Sequence, residues 1–98
     1  MFAWFDATEA KAFGTSLAQF FIQQLPLDQQ VNEKKFAAKT RYILKRTTQR
    51  VDEFRKTARL NTYKRAQLAN AFGWTLKDAG YDPKYVQTLS TWLVARLG

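Results

Sequence analysis

The stretch from Lys39 to Arg65 reads KTRYILKRTTQRVDEFRKTARLNTYKR, and its periodicity decides the fold. Stepping by three or four from Phe36, the residues Phe36, Thr40, Ile43, Thr47, Val51, Phe54 and Ala58 fall on one line, with Leu44 at its edge. The mean step of about 3.67 residues matches the helical period of about 3.6. This predicts one long, straight helix, capped by Asn32, running to about Arg59 and broken at Asn61–Thr62. Asn32 is preferred to Asp28 as the cap because Val31 falls off the line.

The same stretch carries ten Lys or Arg against two acids, Asp52 and Glu53. Its net of +8 equals that of the whole 98-residue chain, so all the excess charge sits here. At about 100° per residue, the apolar line takes a narrow arc, and Lys39, Arg41, Lys45, Arg46, Arg50, Arg55, Lys56 and Arg59 coat the rest. Exposed helix faces usually mix signs to gain i,i+4 pairs. Here only Asp52 and Glu53 are placed to pair, with Arg55 and Lys56 nearby. A solvated face explains where the charges are, but not why they share one sign. An anionic partner explains both. The candidate nucleic-acid-binding set is therefore these eight cations with Lys64 and Arg65, which open the next helix. They would meet phosphates, with Thr48, Gln49 and Asn61 adding neutral contacts. No base-reading motif accompanies them, so weak sequence preference is expected.

Upstream, Asp6-Ala7-Thr8-Glu9 has the pattern of a capping box, with Asp6 as N-cap and Glu9 reaching back. Ala10, Phe13, Gly14, Leu17, Phe20, Phe21 and Gln24/Leu25 form the apolar face of a first helix that Pro26 ends. Phe2, Trp4 and Phe5 are expected to fold against it. Downstream, a third helix from about Thr62 to Ala79 is expected to bury Ala66, Ala69, Phe72, Gly73 and Leu76. Gly80 suits the position after a helix end, and Asp82-Pro83 supplies an N-cap with Pro at the first helical position. The last helix carries Tyr85, Val86, Leu89, Trp92, Leu93 and Leu97 on one face. The expectation is an all-α, four-helix bundle-like single domain over residues 1–98, with one long basic second helix.

A helix to Arg59 is about 40 Å long, against roughly 33 Å across a compact domain of this size. It must protrude, bend, or be covered by a second subunit. With the small-residue edge Ala66, Ala69 and Gly73, this points to a homodimer.

The chain has no Cys and no His. Thiolate chemistry is excluded, and the commonest metal ligand and neutral-pH titrating group is missing. The carboxylates Asp6, Glu9, Asp28, Glu33, Asp52, Glu53, Asp78 and Asp82 form no spaced pair on an apolar face, as acid–base catalysis requires. We expect no enzyme, no cofactor and no metal. Tyr63 and Trp74 lie opposite the apolar face of the third helix and are the candidate partner-binding residues, for bases or for a protein. Against that role, a third helix packed between two neighbours buries parts of both its faces.

Leu76 to Pro83, followed by Val86 and Leu89, also has the spacing of a helix-turn-helix, with Lys84, Gln87, Thr88 and Thr91 at the reading positions. That segment is poor in cations for a groove reader. The start MFAWFDATEAKAF has no signal-peptide pattern and no apolar run spans a membrane, so a cytoplasmic protein is expected. Three functional readings follow in order: nucleic acid or another polyanion on the basic helix, a protein–protein adaptor, and peripheral binding to an anionic membrane.

Overall fold

The computed structural model describes residues 6–25, 33–58 and 60–97, apart from the side chains of residues 33–36. The helices are α1 (Thr8–Gln24), α2 (Glu33–Thr57), α3 (Thr62–Asp78) and α4 (Pro83–Leu97), and no strand occurs among the described residues. The architecture is all-α, as the sequence predicts. Phe2, Trp4, Phe5, Pro26, the Asn32 cap and Arg59 lie outside the described residues, as does the Phe36 side chain.

Local chemistry sets the helix ends. Asp6 Oδ1 accepts from the Thr8 N–H at 3.1 Å, but the helix starts at Thr8, one residue later than an Asp6 cap implies. Glu9 makes no return bond among the described residues, so the capping box closes on one side only. Asn61 caps α3 by accepting from the Lys64 N–H at 2.8 Å. At the other end of α3, Gly80 takes φ 98°. This left-handed turn lets its N–H bond Lys77 O at 2.9 Å and the Tyr81 N–H bond Leu76 O at 3.2 Å, the paired closure of a Schellman motif. Tyr81 and Leu76 are both buried beside it. Asp82 then caps α4, accepting from the Lys84 N–H at 2.8 Å, with Pro83 at the first helical position.

The principal packing is α1 against α3. A Cβ built on Gly14 would lie 2.2 Å from Leu68 O and 3.3 Å from Ala71 Cβ, so the two backbones touch there. Phe21 meets Phe72 edge-on at 5.6 Å, and the Tyr81 hydroxyl donates to Leu25 O. These pairings climb together, so α1 and α3 run in broadly the same direction. Leu17, Ala18, Phe21, Leu25, Leu68, Phe72 and Leu76 are sealed from solvent between them and α4. Each such large side chain contributes roughly 1.5–3 kcal/mol on burial.

The third helix differs from the expectation at one turn. Leu68 is buried and Ala66 is exposed. Leu68, Phe72 and Leu76 lie among the sealed core side chains, while Gly73 faces α4, its built Cβ 3.2 Å from Ser90 Oγ and 3.7 Å from Val86 Cγ1. Of the small-residue edge, Ala69 and Gly73 are buried, Gly73 against α4 of the same chain, and Ala66 is exposed, so the edge does not call for a second subunit.

α2 covers the seam between α1 and α4 with the stripe the sequence marks. Ile43, Thr47 and Val51 are fully buried, and Thr40, Leu44, Phe54 and Ala58 are half-buried. Phe54 stacks on Phe13 of α1 at 4.0 Å and 3°. Thr40 Oγ1 and Tyr85 Oη share a hydrogen bond at 2.9 Å, and Arg96 meets Asp52 at 2.8 Å. α2 thus runs parallel to α4. At about 1.5 Å per residue, its 25 residues span roughly 37 Å. The molecule measures 48 × 24 × 19 Å. A rod that long fits only along the long axis, so the chain accommodates α2 by being elongated.

Candidate nucleic-acid interface

The narrow stripe of α2 is what exposes its charge. Lys39, Arg41, Lys45, Arg46, Arg50, Arg55 and Lys56 all have exposed side chains. They do not all stand in the same condition. Arg50 lies over the Phe20 ring with its guanidinium carbon 4.3 Å from the centroid, covering a core residue. Arg55 Nη1 donates to Arg96 O at 3.2 Å, satisfying a carbonyl in the last turn of α4. Both cations hold the fold together. Arg41, Lys45 and Lys56 make no hydrogen bond or ion pair among the described residues.

Lys64 and Arg65 are half-buried on α3, off the α2 face. Arg65 Nη2 reaches its own Thr62 hydroxyl at 3.4 Å. The Lys64 ammonium lies near Asp6. Hydrogen bonds from the Thr8 hydroxyl and then its N–H hold the Asp6 carboxyl below its ordinary value, and Lys64 adds a smaller effect in the same direction. Arg59, the tenth candidate, lies outside the described residues.

The acids on this face are unequal. Asp52 accepts from Arg96 Nη2 at 2.8 Å, so its charge is matched from α4. Glu53 is exposed and makes no ion pair among the described residues.

Tyr42, not among the candidates from sequence, stands on this face as well. Its side chain is 55% exposed in the middle of the cations. Arg46 Nη1 donates to Tyr42 Oη at 3.1 Å, and its guanidinium carbon lies 5.8 Å from the ring centroid. The signal was available: Tyr42 is the aromatic on α2 that falls opposite the buried line.

The two aromatics chosen from sequence diverge. Tyr63 is half-buried, as a helix between two neighbours implies. Trp74 is 64% exposed, with Lys77 Nζ 5.3 Å from its ring centroid. It borders an open groove of ≈ 710 Å³ between α3 and α4, together with Ala69, Gly73, Lys77, Lys84 and Val94. Gln87 and Thr91 also line that groove, so with Lys84 three of the four helix-turn-helix reading positions do. Among the described residues no cluster of three or more His, Cys, Asp or Glu is placed to hold a metal, and no helix is long and apolar enough to cross a membrane. Comparison of the chain with family models, curated proteins and solved structures gave no match.

Proposed function

We propose that the protein binds nucleic acid through the outer face of α2, by contacts to the phosphate backbone. The observation that carries this reading is the state of the charges. Arg41, Lys45, Arg46 and Lys56 project from a rod about 37 Å long, and Asp52, one of the two acids beside them, is neutralised by Arg96. Mutual repulsion along such a face is relieved when phosphates replace its counterions.

These four cations give about four phosphate contacts, and hence a slope of log K against log salt of about −3.6 on duplex DNA. Purification without nuclease should yield a protein whose 260/280 absorbance ratio falls after a high-salt wash. Electrophoretic retardation should weaken steeply between about 50 and about 200 mM salt. A protein that comes off clean and retards neither DNA nor RNA at low salt would sink the proposal.

A second reading has its own support in Trp74 and Val94, 64% and 48% exposed beside the α3/α4 groove. The charged residues lining the groove are Lys77 and Lys84, with no carboxylate. An amphipathic helix of acidic character is the occupant of matching shape and charge. Such a complex should tolerate salt better than the nucleic-acid complex and be lost on Trp74→Ala.

A further inference from the structure

We infer that the α2 face takes single-stranded nucleic acid in preference to duplex, with the Tyr42 ring as the platform on which a base stacks. The inference rests on the reading that this face binds nucleic acid, and it names the form of the ligand.

The placement of the ring comes first. Tyr42, Lys45, Gln49 and Lys56 are spaced by three, seven and fourteen residues from Tyr42 and are all exposed. At about 100° per residue they form one ridge, opposite the line of Thr40, Ile43, Thr47, Val51 and Phe54. Arg41 and Arg46 flank it and are exposed. The ridge of the cationic face therefore carries an exposed aromatic ring one helical turn from two cations.

A single exposed aromatic is ordinary on a protein surface. Tyr42 is distinguished by its support. The hydrogen bond from Arg46 to its hydroxyl at 3.1 Å, with the guanidinium carbon over the ring at 5.8 Å from its centroid, limits the rotamers the side chain can adopt and leaves the opposite face for a base. The ring is held and still 55% open. Stacking a base on it costs little further ordering, and Arg46 next to the ring is placed to meet the same nucleotide's phosphate. Phe54, the other described aromatic of α2, is already stacked on Phe13 and offers no such face.

A duplex makes poor use of this arrangement. Its bases are stacked on one another and present edges, not faces, to a side chain lying in a groove. Unpaired bases present their faces freely, and stacking on an aromatic tolerates any base. The weak sequence preference expected from the absence of a base-reading motif is consistent with that mode.

Fluorescence anisotropy with labelled oligothymidylate and with a duplex of equal length separates the possibilities. The wild-type protein should bind the single strand more tightly at matched salt. Tyr42→Leu should weaken single-strand binding roughly 10- to 100-fold, the usual effect of losing one stacking ring. Its duplex affinity and its salt slope should stay as in the wild type. Tyr42→Phe keeps the ring and should keep most of the affinity. Lys45→Gln should weaken both ligands and lower each slope by about one. Circular dichroism of Tyr42→Leu checks that the fold is intact, which the exposure of the residue favours. Equal affinity for the two ligands, or equal sensitivity of both to Tyr42→Leu, overturns the single-strand inference while leaving the basic face standing. Absence of binding to either oligonucleotide at low salt overturns both.

Discussion

Gly14 of α1 lies against the main chain of α3 at Leu68, so close that a methyl group on Gly14 would sit 2.2 Å from the Leu68 carbonyl oxygen. That oxygen belongs to a helix backbone and cannot swing aside as a side-chain tip does. Gly14→Ala must push α1 and α3 apart across the main packing interface of the molecule. We expect a net loss of about 2–3 kcal/mol, because the roughly 1 kcal/mol gain in helix propensity does not offset overpacking against a backbone. Gly73→Ala is the contrast. Its nearest neighbours are the Ser90 hydroxyl at 3.2 Å and Val86 Cγ1 at 3.7 Å, both side-chain atoms that yield. It should change stability by less than about 1 kcal/mol. Urea denaturation of the two variants reads the difference, and similar losses at both sites would contradict the close α1–α3 crossing.

Thr47 sits in the middle of the α2 stripe at 0% exposure, and its hydroxyl oxygen has no hydrogen-bond partner among the described residues. A buried hydroxyl left unpaired costs roughly 1–3 kcal/mol. Val has nearly the same shape and the same branched Cβ, so Thr47→Val removes that cost without a cavity or a change in rotamer preference. The variant should be more stable by about 1 kcal/mol, seen as a melting temperature about 4–8 °C higher. A lower melting temperature would mean that the hydroxyl is hydrogen-bonded after all.

The α2 stripe was legible because seven residues in phase over 22 positions leave no competing period, and its two Thr were read correctly as part of the buried line. Leu68 was not legible for the opposite reason. α3 packs on α1 at Leu68 and on α4 at Gly73, and a single 3.6-residue stripe assigned to one neighbour has room for only one of these faces. Ala66 was placed in that stripe by phase, where tertiary packing instead buries Leu68. Tyr63 and Trp74 share one face by phase, yet Tyr63 is half-buried and Trp74 is 64% exposed, a difference that periodicity within one helix does not carry. The partners of Arg50 and Arg55 could not be read at all. Nothing in the spacing of a charged residue says that a Phe20 ring or an Arg96 carbonyl waits across the interface.

Tyr81 and Tyr85 stack at 6.2 Å where the start of α4 meets the core. Burial pushes both phenols above the ordinary value, with the neighbouring Tyr85 adding to the effect at Tyr81 and the Thr40 hydrogen bond partly opposing it at Tyr85. A raised folded-state value means that the folded protein holds these protons more tightly than the unfolded chain. Below the ordinary phenol value of about 10 both states are neutral and the contribution is constant. Above it the unfolded chain ionises first, so stability falls with rising pH. Thermal unfolding followed across this range should show a melting temperature declining beyond pH ~10. In Tyr85→Phe the decline should be shallower, after a uniform loss of stability from the Thr40 hydrogen bond. An unchanged slope in that variant would show that Tyr85 is not one of the groups responsible.

Asp52 and Glu53 are adjacent acids that the fold treats differently, and neutralising each should have a different outcome. Asp52 holds Arg96 of α4 at 2.8 Å, and both side chains are partly open to solvent. A pair of that exposure contributes little, so Asp52→Asn should cost under about 1 kcal/mol of stability. The same change removes a negative charge from the α2 face and releases the Arg96 guanidinium beside it. Nucleic-acid affinity should therefore rise, and the salt slope should steepen by up to about one as Arg96 becomes available to a phosphate. Glu53→Gln removes an equal charge but frees no cation, since Glu53 has no ion pair among the described residues. It should raise affinity with the slope unchanged and stability unaffected. Salt titrations of retardation for the two variants, alongside urea denaturation, test the assignment. If Asp52→Asn weakens binding, the face that meets nucleic acid is not the one Arg96 borders.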